Sequence, residues 1–139
     1  MVAGEFSHKM RVYIEDTDAG GIVYYVNYLK FMERARTEFM RSLGYDKHYI
    51  FNVDLMFVVQ DLAVSYKLPA RLDDELAATA TLTRLRGAGM VFDQSVRRGA
   101  ELLARAQVTI ACVDRTGFKP RRLPPEMVTH LQGLEQKEA

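Results

Sequence analysis

The chain has 139 residues, enough for one domain of ordinary size, and we expect a single domain spanning residues 1–139. Its composition, 48% hydrophobic and 27% charged residues, is typical of a soluble globular protein and argues against a disordered chain. Because 19 basic and 18 acidic side chains leave a formal charge of +1, no overall field attracts nucleic acid, and no apolar run is long enough for an integral membrane segment.

The first predicted elements are a strand, a turn and a long helix. A loose alternation over residues 9–14 predicts the strand, and a glycine-containing turn follows over residues 15–21. Over about residues 24–43 the period changes to that of a helix, because five apolar side chains share one stripe: Phe31, Met32, Ala35, Phe39 and Leu43. Gly44 follows the last of them, where a glycine commonly ends a helix.

The rest of the chain predicts strands. After an irregular stretch, four segments alternate with a period of two: residues 62–68, 76–82, 90–96 and 104–112. A short amphipathic helix is predicted at 125–134. The order favours an α+β fold in which an antiparallel five-stranded sheet wraps around one long central helix, with a core over about residues 9–128. Because such a sheet leaves edges to cover, we expect a homo-oligomer.

Cysteine and histidine usage argues against a metal site. The single cysteine, Cys112, cannot form an internal disulfide and falls on the apolar face of its strand, where we expect an inert buried thiol. The three histidines are far apart and lack ligand spacing. We therefore expect no metal or other cofactor, and a reducing cytoplasmic location.

The turn before the long helix is the most informative segment. Asp16 and Asp18 precede Gly20 and Gly21. The start of a helix presents unpaired N–H groups and a partial positive charge, which could stabilise an acyl oxygen that becomes negative, while a nearby carboxylate could attack a carbonyl or activate water. The alternative is a purely structural turn whose carboxylates cap the helix. A calcium loop fits worse, because Gly20 and Asn27 occupy ligand positions.

The sequence RVYIEDTDAGGIVY at residues 11–24, followed by NYL at 27–29 and FMERARTE at 31–38, resembles hotdog-fold acyl-CoA thioesterases. The resemblance is to the 4-hydroxybenzoyl-CoA thioesterase family, especially its Tol–Pal-associated members. FVV at 57–59, PARLDD at 69–74, and KPR and LP near residues 119–124 support it. It covers roughly residues 9–128 and implies a hotdog fold that pairs into a homodimer, often within a homotetramer.

The resemblance also implies the site residues. The family's catalytic carboxylate falls on Asp18, and the backbone N–H of Tyr25 would polarise the thioester carbonyl. Asn27 would cap the helix or orient the turn at the substrate site, and Arg86 and Arg121 would face the phosphates of coenzyme A.

Other residues have more ordinary interpretations. The resemblance gives Asp16 a structural role through hydrogen bonds within the turn. From the residues alone, Arg71 is expected to pair with Asp73 or Asp74, and Arg98 is interpreted as a surface charge of a hairpin.

These residues predict an acyl-CoA thioesterase that cleaves its substrate to free acid and coenzyme A. Asp18 would act as nucleophile or as general base. Tol–Pal-associated members usually have histidine in place of Tyr25, so the acyl group stays open, and the Tyr25 ring is expected either to line the acyl pocket or to pack in the core. The alternative is a non-catalytic acyl- or CoA-binding scaffold protein that retains the fold.

Overall fold

The computed structural model describes residues 5–136. It contains five strands, three α-helices and one short 3-10 helix at Ile14–Asp16. The elements are β1 (Phe6–Arg11), α1 (Val26–Ser42), α2 (Lys47–Asn52), β2 (Met56–Tyr66), β3 (Glu75–Arg86), β4 (Gly89–Arg98), β5 (Glu101–Val113) and α3 (Pro125–Gln132).

The strands form one antiparallel sheet in the order β1-β3-β4-β5-β2, and α1 packs against one face of it over β1, β3 and β4. The predicted α+β hotdog arrangement is therefore confirmed. Apolar side chains of α1 meet the sheet directly: the ring of Phe39 stands edge-on to Phe92, with centroids 5.7 Å apart, and also to Phe6 at 6.0 Å. Phe31 and Met32 are buried, as the helical stripe predicts.

The two edges of this sheet differ in how they are covered. β1 pairs with β3 only as far as Ala80. Beyond Ala80, the C-terminal segment covers the edge of β3. The N–H of Gln136 donates to the carbonyl of Leu82, and the N–H of Leu85 donates to the Glu135 carboxylate, each at 2.7 Å. At the other edge, the outer side of β2 pairs with no strand of residues 5–136.

Several elements differ from the sequence prediction. β1 ends at Arg11, because Val12 already bonds to Asp73 and Asp74 in the loop before β3, and the chain then turns into the 3-10 helix. The stretch predicted as irregular contains α2, whose start is capped by the side chain of Asp46. β2 begins six residues early, since Met56 already pairs with Val113. No helix within residues 5–136 has the length and apolar composition of a membrane span.

Candidate active site

Asp18 lies at the tip of a tight turn that precedes α1. Its N–H donates to the carbonyl of Ile22 at 2.9 Å, and its carbonyl accepts from the N–H of Gly21 at 3.0 Å. Its Oδ1 accepts from the N–H of Gly20 at 2.8 Å. Gly21 has a φ of 79°, a left-handed conformation that glycine adopts without strain. These contacts fix the backbone on both sides of an exposed carboxylate, whose Oδ2 accepts no hydrogen bond from residues 5–136.

Asp16 and Asn27 join this turn to the first turn of α1. Oδ2 of Asp16 accepts from the N–H of Tyr13 at 2.9 Å. The Asp16 carbonyl accepts both from the N–H of Tyr24 at 3.0 Å and from Nδ2 of the buried Asn27 at 2.9 Å. The contacts agree with a turn-holding role for Asp16, and they join the Asn27 side chain to the backbone of the turn.

The N-terminus of α1 leaves N–H groups available beside this turn, and that of Tyr25 is among them. Tyr25 occupies the position before the first helical residue, and its N–H has no acceptor among residues 5–136. Such terminal N–H groups carry the positive end of the helix dipole. A carboxylate and an unpaired amide are therefore presented by one short segment, as the motif predicts.

Three tyrosine rings surround the helix start. Tyr25 lies 4.9 Å from Tyr24 and 6.0 Å from Tyr66 between centroids, and its side chain is 57% exposed, so packing of this ring in the core is excluded. A hydrogen bond with the Tyr25 side chain raises the pKa of Tyr24, and the negative charge of Asp18 adds to the rise. The Asp18 carboxylate therefore lies within electrostatic reach of the Tyr24 hydroxyl. Sequence reasoning missed Tyr66, since nothing in its strand pattern indicates a ring beside the turn.

The loop between β2 and β3 supports the turn from behind. The N–H of Val23 donates to the carbonyl of Ala70 at 2.9 Å, and Ile22 forms an isolated β-bridge with Arg71. The hydroxyl of the buried Tyr28 accepts from the N–H of Ala70 at 2.9 Å. Helix, turn and loop thus form one hydrogen-bonded unit.

Two arginines fasten that loop to the sheet: Arg11 of β1, whose Nη1 donates to the carbonyl of Asp73 at 2.7 Å, and Arg98 of β4. The Arg98 guanidinium contacts the carboxylate of Asp74 at 2.7 Å, that of Glu101 at 3.0 Å and the carbonyl of Pro69 at 3.2 Å. Arg71 donates only its backbone N–H to Asp74, at 2.8 Å. The prediction of an Arg71 ion pair was wrong, and so was the description of Arg98 as a simple surface charge. The reason is that Arg98 is 24 residues from Asp74, too far for a local pattern to indicate.

Arg86 and Arg121 lie together, but at the opposite end of the sheet from Asp18. β3 starts beside the Asp18 turn and ends at Arg86, which is roughly 35 Å for its 12 residues. The turn after Arg86 contacts the segment around Arg121, because Cys112 donates its N–H to Ala88 at 2.8 Å and accepts from the N–H of Arg121 at 2.9 Å. Within one chain, Arg86 and Arg121 are therefore separate from the Asp18 turn.

The remaining candidate groups have structural surroundings. Cys112 is fully buried, as expected, and burial raises the pKa of its thiol to about 11, against a smaller opposing effect of Arg121. In the part of the chain that the structure describes, no group of three or more His, Cys, Asp or Glu side chains is arranged to hold a metal ion.

Comparisons with known proteins agree with this geometry. The family described as the thioesterase-like superfamily matches residues 12–131. The acyl-CoA thioesterase YbgC of Haemophilus influenzae is 42% identical over 128 residues, which cover 91% of this chain and 94% of that protein.

Solved structures give the same result. A probable thioesterase from Bartonella henselae has a TM-score of 0.83 at 36% identity, covering 86% of this chain and 99% of that one. Slr0204 of Synechocystis, a 1,4-dihydroxy-2-naphthoyl-CoA thioesterase, has a TM-score of 0.83 at 26% identity, covering 92% and 96%.

Proposed function

The chain belongs to the thioesterase-like superfamily, and from that premise we propose that it hydrolyses the thioester of an acyl- or aroyl-CoA to a free acid and coenzyme A. Relatives named as acyl-CoA thioesterases support this proposal. The observation that carries it is the placement of the Asp18 carboxylate and the unpaired N–H of Tyr25 on one turn at the start of α1.

The Tyr25 N–H would donate a hydrogen bond to the thioester carbonyl oxygen. When the carbonyl carbon is attacked, this oxygen becomes negative, and a fixed N–H at the positive end of a helix stabilises it. Removing one such donor typically raises a barrier by about 3 kcal/mol. A thioester needs less activation than an oxygen ester, so one donor and one carboxylate suffice without a serine nucleophile.

Oδ2 of Asp18 would perform the attack or direct it. As a general base it takes a proton from water while the oxygen of that water bonds to the carbonyl carbon. As a nucleophile it bonds to that carbon itself, and water then cleaves the resulting anhydride. In both routes the carbon–sulfur bond breaks, and the thiolate of coenzyme A leaves and takes up a proton. Asn27 would hold the turn in position through Asp16.

Arg86 and Arg121 would bind the phosphates of coenzyme A, and their distance from Asp18 makes a second copy of the chain necessary. The free edge of β2 carries partly exposed apolar side chains, with Val59 at 52% and Tyr66 at 42%. Antiparallel pairing of two β2 edges would place the Tyr66 end of one copy beside the Met56 end of the other. Because Met56 pairs with Val113, next to the Arg121 segment, each site would combine Asp18 of one copy with Arg121 of the other.

Mixing two variants, one changed at Asp18 and the other at Arg121, tests this shared site. Asp18→Asn lacks the carboxylate, and Arg121→Met is expected to raise KM. In a mixed dimer of the two variants, one site carries both changes and the other carries neither, so activity at wild-type KM should return. No recovery after mixing and refolding would place both residues in the same subunit's site. A homodimer of this kind, within a tetramer and located in the cytoplasm, is the state we propose.

The function itself is tested by thiol release from a panel of short-chain, long-chain and aromatic acyl-CoAs. We expect hydrolysis of at least one class, with rates that depend on the acyl group. Tight binding of coenzyme A without hydrolysis of any member would contradict the proposal and favour the non-catalytic scaffold.

A further inference from the structure

An apolar groove runs along α1 on the side that faces β2 and β5. Its first part has a volume of about 290 Å³ and is lined mainly by Val26, Leu29, Met32, Val59, Leu62 and Val108. Its second part, of about 560 Å³, continues between the later turns of α1 and the residues Phe57, Met90 and Ile110. The groove exists because α1 lies over β1, β3 and β4 and leaves the inner face of β2 uncovered.

The groove begins at the candidate active site. Its first lining residue, Val26, directly follows Tyr25 in the chain. The ten residues from Val26 to Arg36 advance about 15 Å along the helix axis. An acyl chain whose carbonyl oxygen is held by the Tyr25 N–H can therefore extend along apolar walls toward Arg36.

Two charged side chains, Glu33 and Arg36, line both parts of the groove, and Arg36 is the only cation of the two. Nη1 of Arg36 donates to Oε1 of Gln94 at 2.9 Å. Gln94 is buried, and its Nε2 donates to the carbonyls of Met32 and Thr79 at 2.9 and 3.0 Å. The guanidinium is thus anchored from the sheet at a fixed place along the groove.

The charge of Arg36 lacks a close counter-ion. Burial lowers the pKa of Arg36, and the charge of Glu33 on the same helix opposes that effect. Among residues 5–136, no carboxylate lies within 4.0 Å of the Arg36 guanidinium. A guanidinium has five N–H donors arranged to bind a carboxylate with two parallel hydrogen bonds, and here Gln94 takes one.

We propose that the acyl chain of the substrate lies in this groove and that Arg36 binds an anionic group at its far end, so that the preferred substrates are medium-chain acyl-CoAs with a terminal carboxylate. This inference rests on the proposed thioesterase function. Apolar walls accept the methylene chain, and the terminal carboxylate supplies the counter-ion of the half-buried guanidinium. Pairing along the β2 edge uses backbone groups in the plane of the sheet, whereas the groove lies beside α1, and Val59 of β2 borders both.

The test compares acyl-CoAs of equal length that differ in the terminal group: suberyl-CoA against octanoyl-CoA, with the adipyl/hexanoyl and sebacyl/decanoyl pairs for length. We expect the wild-type enzyme to have the higher kcat/KM for the carboxylated member of the pair that fits the groove. Arg36→Met should lower that value by about 10- to 100-fold, the effect of losing a charge-assisted hydrogen bond. The kcat/KM for the neutral member should change little.

Arg34→Met is the matched control, because Arg34 lies on the same helix, is exposed and lines neither part of the groove. Arg36→Lys keeps the charge but not the planar fork, and we expect it to recover part of the preference. The preference of the wild-type enzyme for carboxylated over neutral acyl-CoAs is measured without any variant. It therefore tests the inference even if Arg36→Met fails to fold.

The outcomes separate the inference from the function on which it rests. If the wild-type enzyme hydrolyses no acyl-CoA, the proposed function fails. If it hydrolyses both members of every pair equally, or prefers the neutral ones, only the inference fails. If Arg36→Met lowers kcat/KM equally for both members of a pair and dissociates the oligomer, Arg36 belongs to a contact between subunits. That result also overturns the inference.

Discussion

The Arg98 guanidinium donates a hydrogen bond to the carboxylate of Asp74 over 2.7 Å, and this contact joins the end of β4 to the loop behind the Asp18 turn. The same guanidinium donates to the carbonyl of Pro69 at the start of that loop. Because the loop in turn bonds to Val23, the ion pair belongs to the support of the candidate catalytic residue.

Arg98→Met should be less stable than wild type at neutral pH, and this difference in stability should disappear in acid. Burial raises the pKa of Asp74, but hydrogen bonds from the Arg71 amide and from Arg98 outweigh it, so the pKa in the folded state lies below the ordinary value. The Arg98–Asp74 contact therefore stabilises the folded state at pH values above about 3.9, the pKa of an aspartate in the unfolded chain. This stabilisation is lost as the pH falls through the lower pKa of Asp74 in the folded protein. Urea unfolding at pH 7, 5 and 3 measures whether the unfolding free energies of wild type and Arg98→Met converge.

Arg105→Met is the control for this prediction, since Arg105 contacts Asp93 on the outer face of the sheet, away from the turn. We expect Arg105→Met to lower the unfolding free energy less than Arg98→Met does, and to leave kcat unchanged. A constant difference between wild type and Arg98→Met from pH 7 to pH 3 would show that the Asp74 carboxylate is not the partner that matters.

Asn27→Ala should reduce turnover more than it reduces stability. The change removes the hydrogen bond from Nδ2 to the Asp16 carbonyl, which costs about 1 kcal/mol of unfolding free energy. Because the bond orients the turn, we expect kcat to fall by about 10- to 100-fold. Thr129→Ala removes an exposed hydrogen bond within α3 and serves as the control. Equal kcat for both variants would mean that Asn27 only stabilises the fold.

Gly89→Ala should destabilise the fold by about 1–3 kcal/mol, because overpacking of a strand contact costs that much. A Cβ at Gly89 would lie 2.3 Å from the carbonyl oxygen of Ile110, an atom that belongs to the backbone and cannot rotate away. At Gly133 the nearest atom is 3.6 Å away, so Gly133→Ala should change stability by less than about 0.5 kcal/mol. Thermal unfolding of the two variants compares them directly, and a stable Gly89→Ala protein would contradict the close strand packing.

Cys112 should resist thiol reagents as long as the protein is folded. It is fully buried, and burial raises its pKa to about 11, so little thiolate forms at pH 8. We expect Ellman's reagent to label native protein only at the rate of unfolding and to label denatured protein completely, with one equivalent per chain. Rapid stoichiometric labelling of the native protein would show that this end of β5 opens readily.

The sequence patterns predict those features that repeat along the chain or lie within a few residues. The stripe of Phe31 and Met32 predicts the buried face of α1, and Gly44, with a φ of 94°, ends the helix as expected. The alternation in the later strands predicts the sheet. The turn at Asp18 is a local motif, so its position at a helix start could also be predicted.

Contacts between distant segments could not be predicted in this way. Arg98 reaches Asp74 across 24 residues, and Gln94 reaches Arg36 across 58, so neither pair leaves a periodic signal. The resemblance predicts that Arg86 and Arg121 face the phosphates of coenzyme A, but the length of β3 that separates Arg86 from the Asp18 turn is visible only in the assembled sheet. A helix of six residues such as α2 is too short for a period to be recognised.

The most direct test of the proposed chemistry is the hydrolysis rate of Asp18→Asn with the best acyl-CoA of the panel, measured beside Glu15→Gln. Glu15 is an exposed carboxylate three residues earlier, so its loss controls for the change in charge. We predict that Asp18→Asn lowers kcat by at least about 100-fold, as expected for loss of a general base, with unchanged unfolding and coenzyme A binding. A rate for Asp18→Asn close to that of Glu15→Gln would contradict the assignment of Asp18 as the catalytic carboxylate.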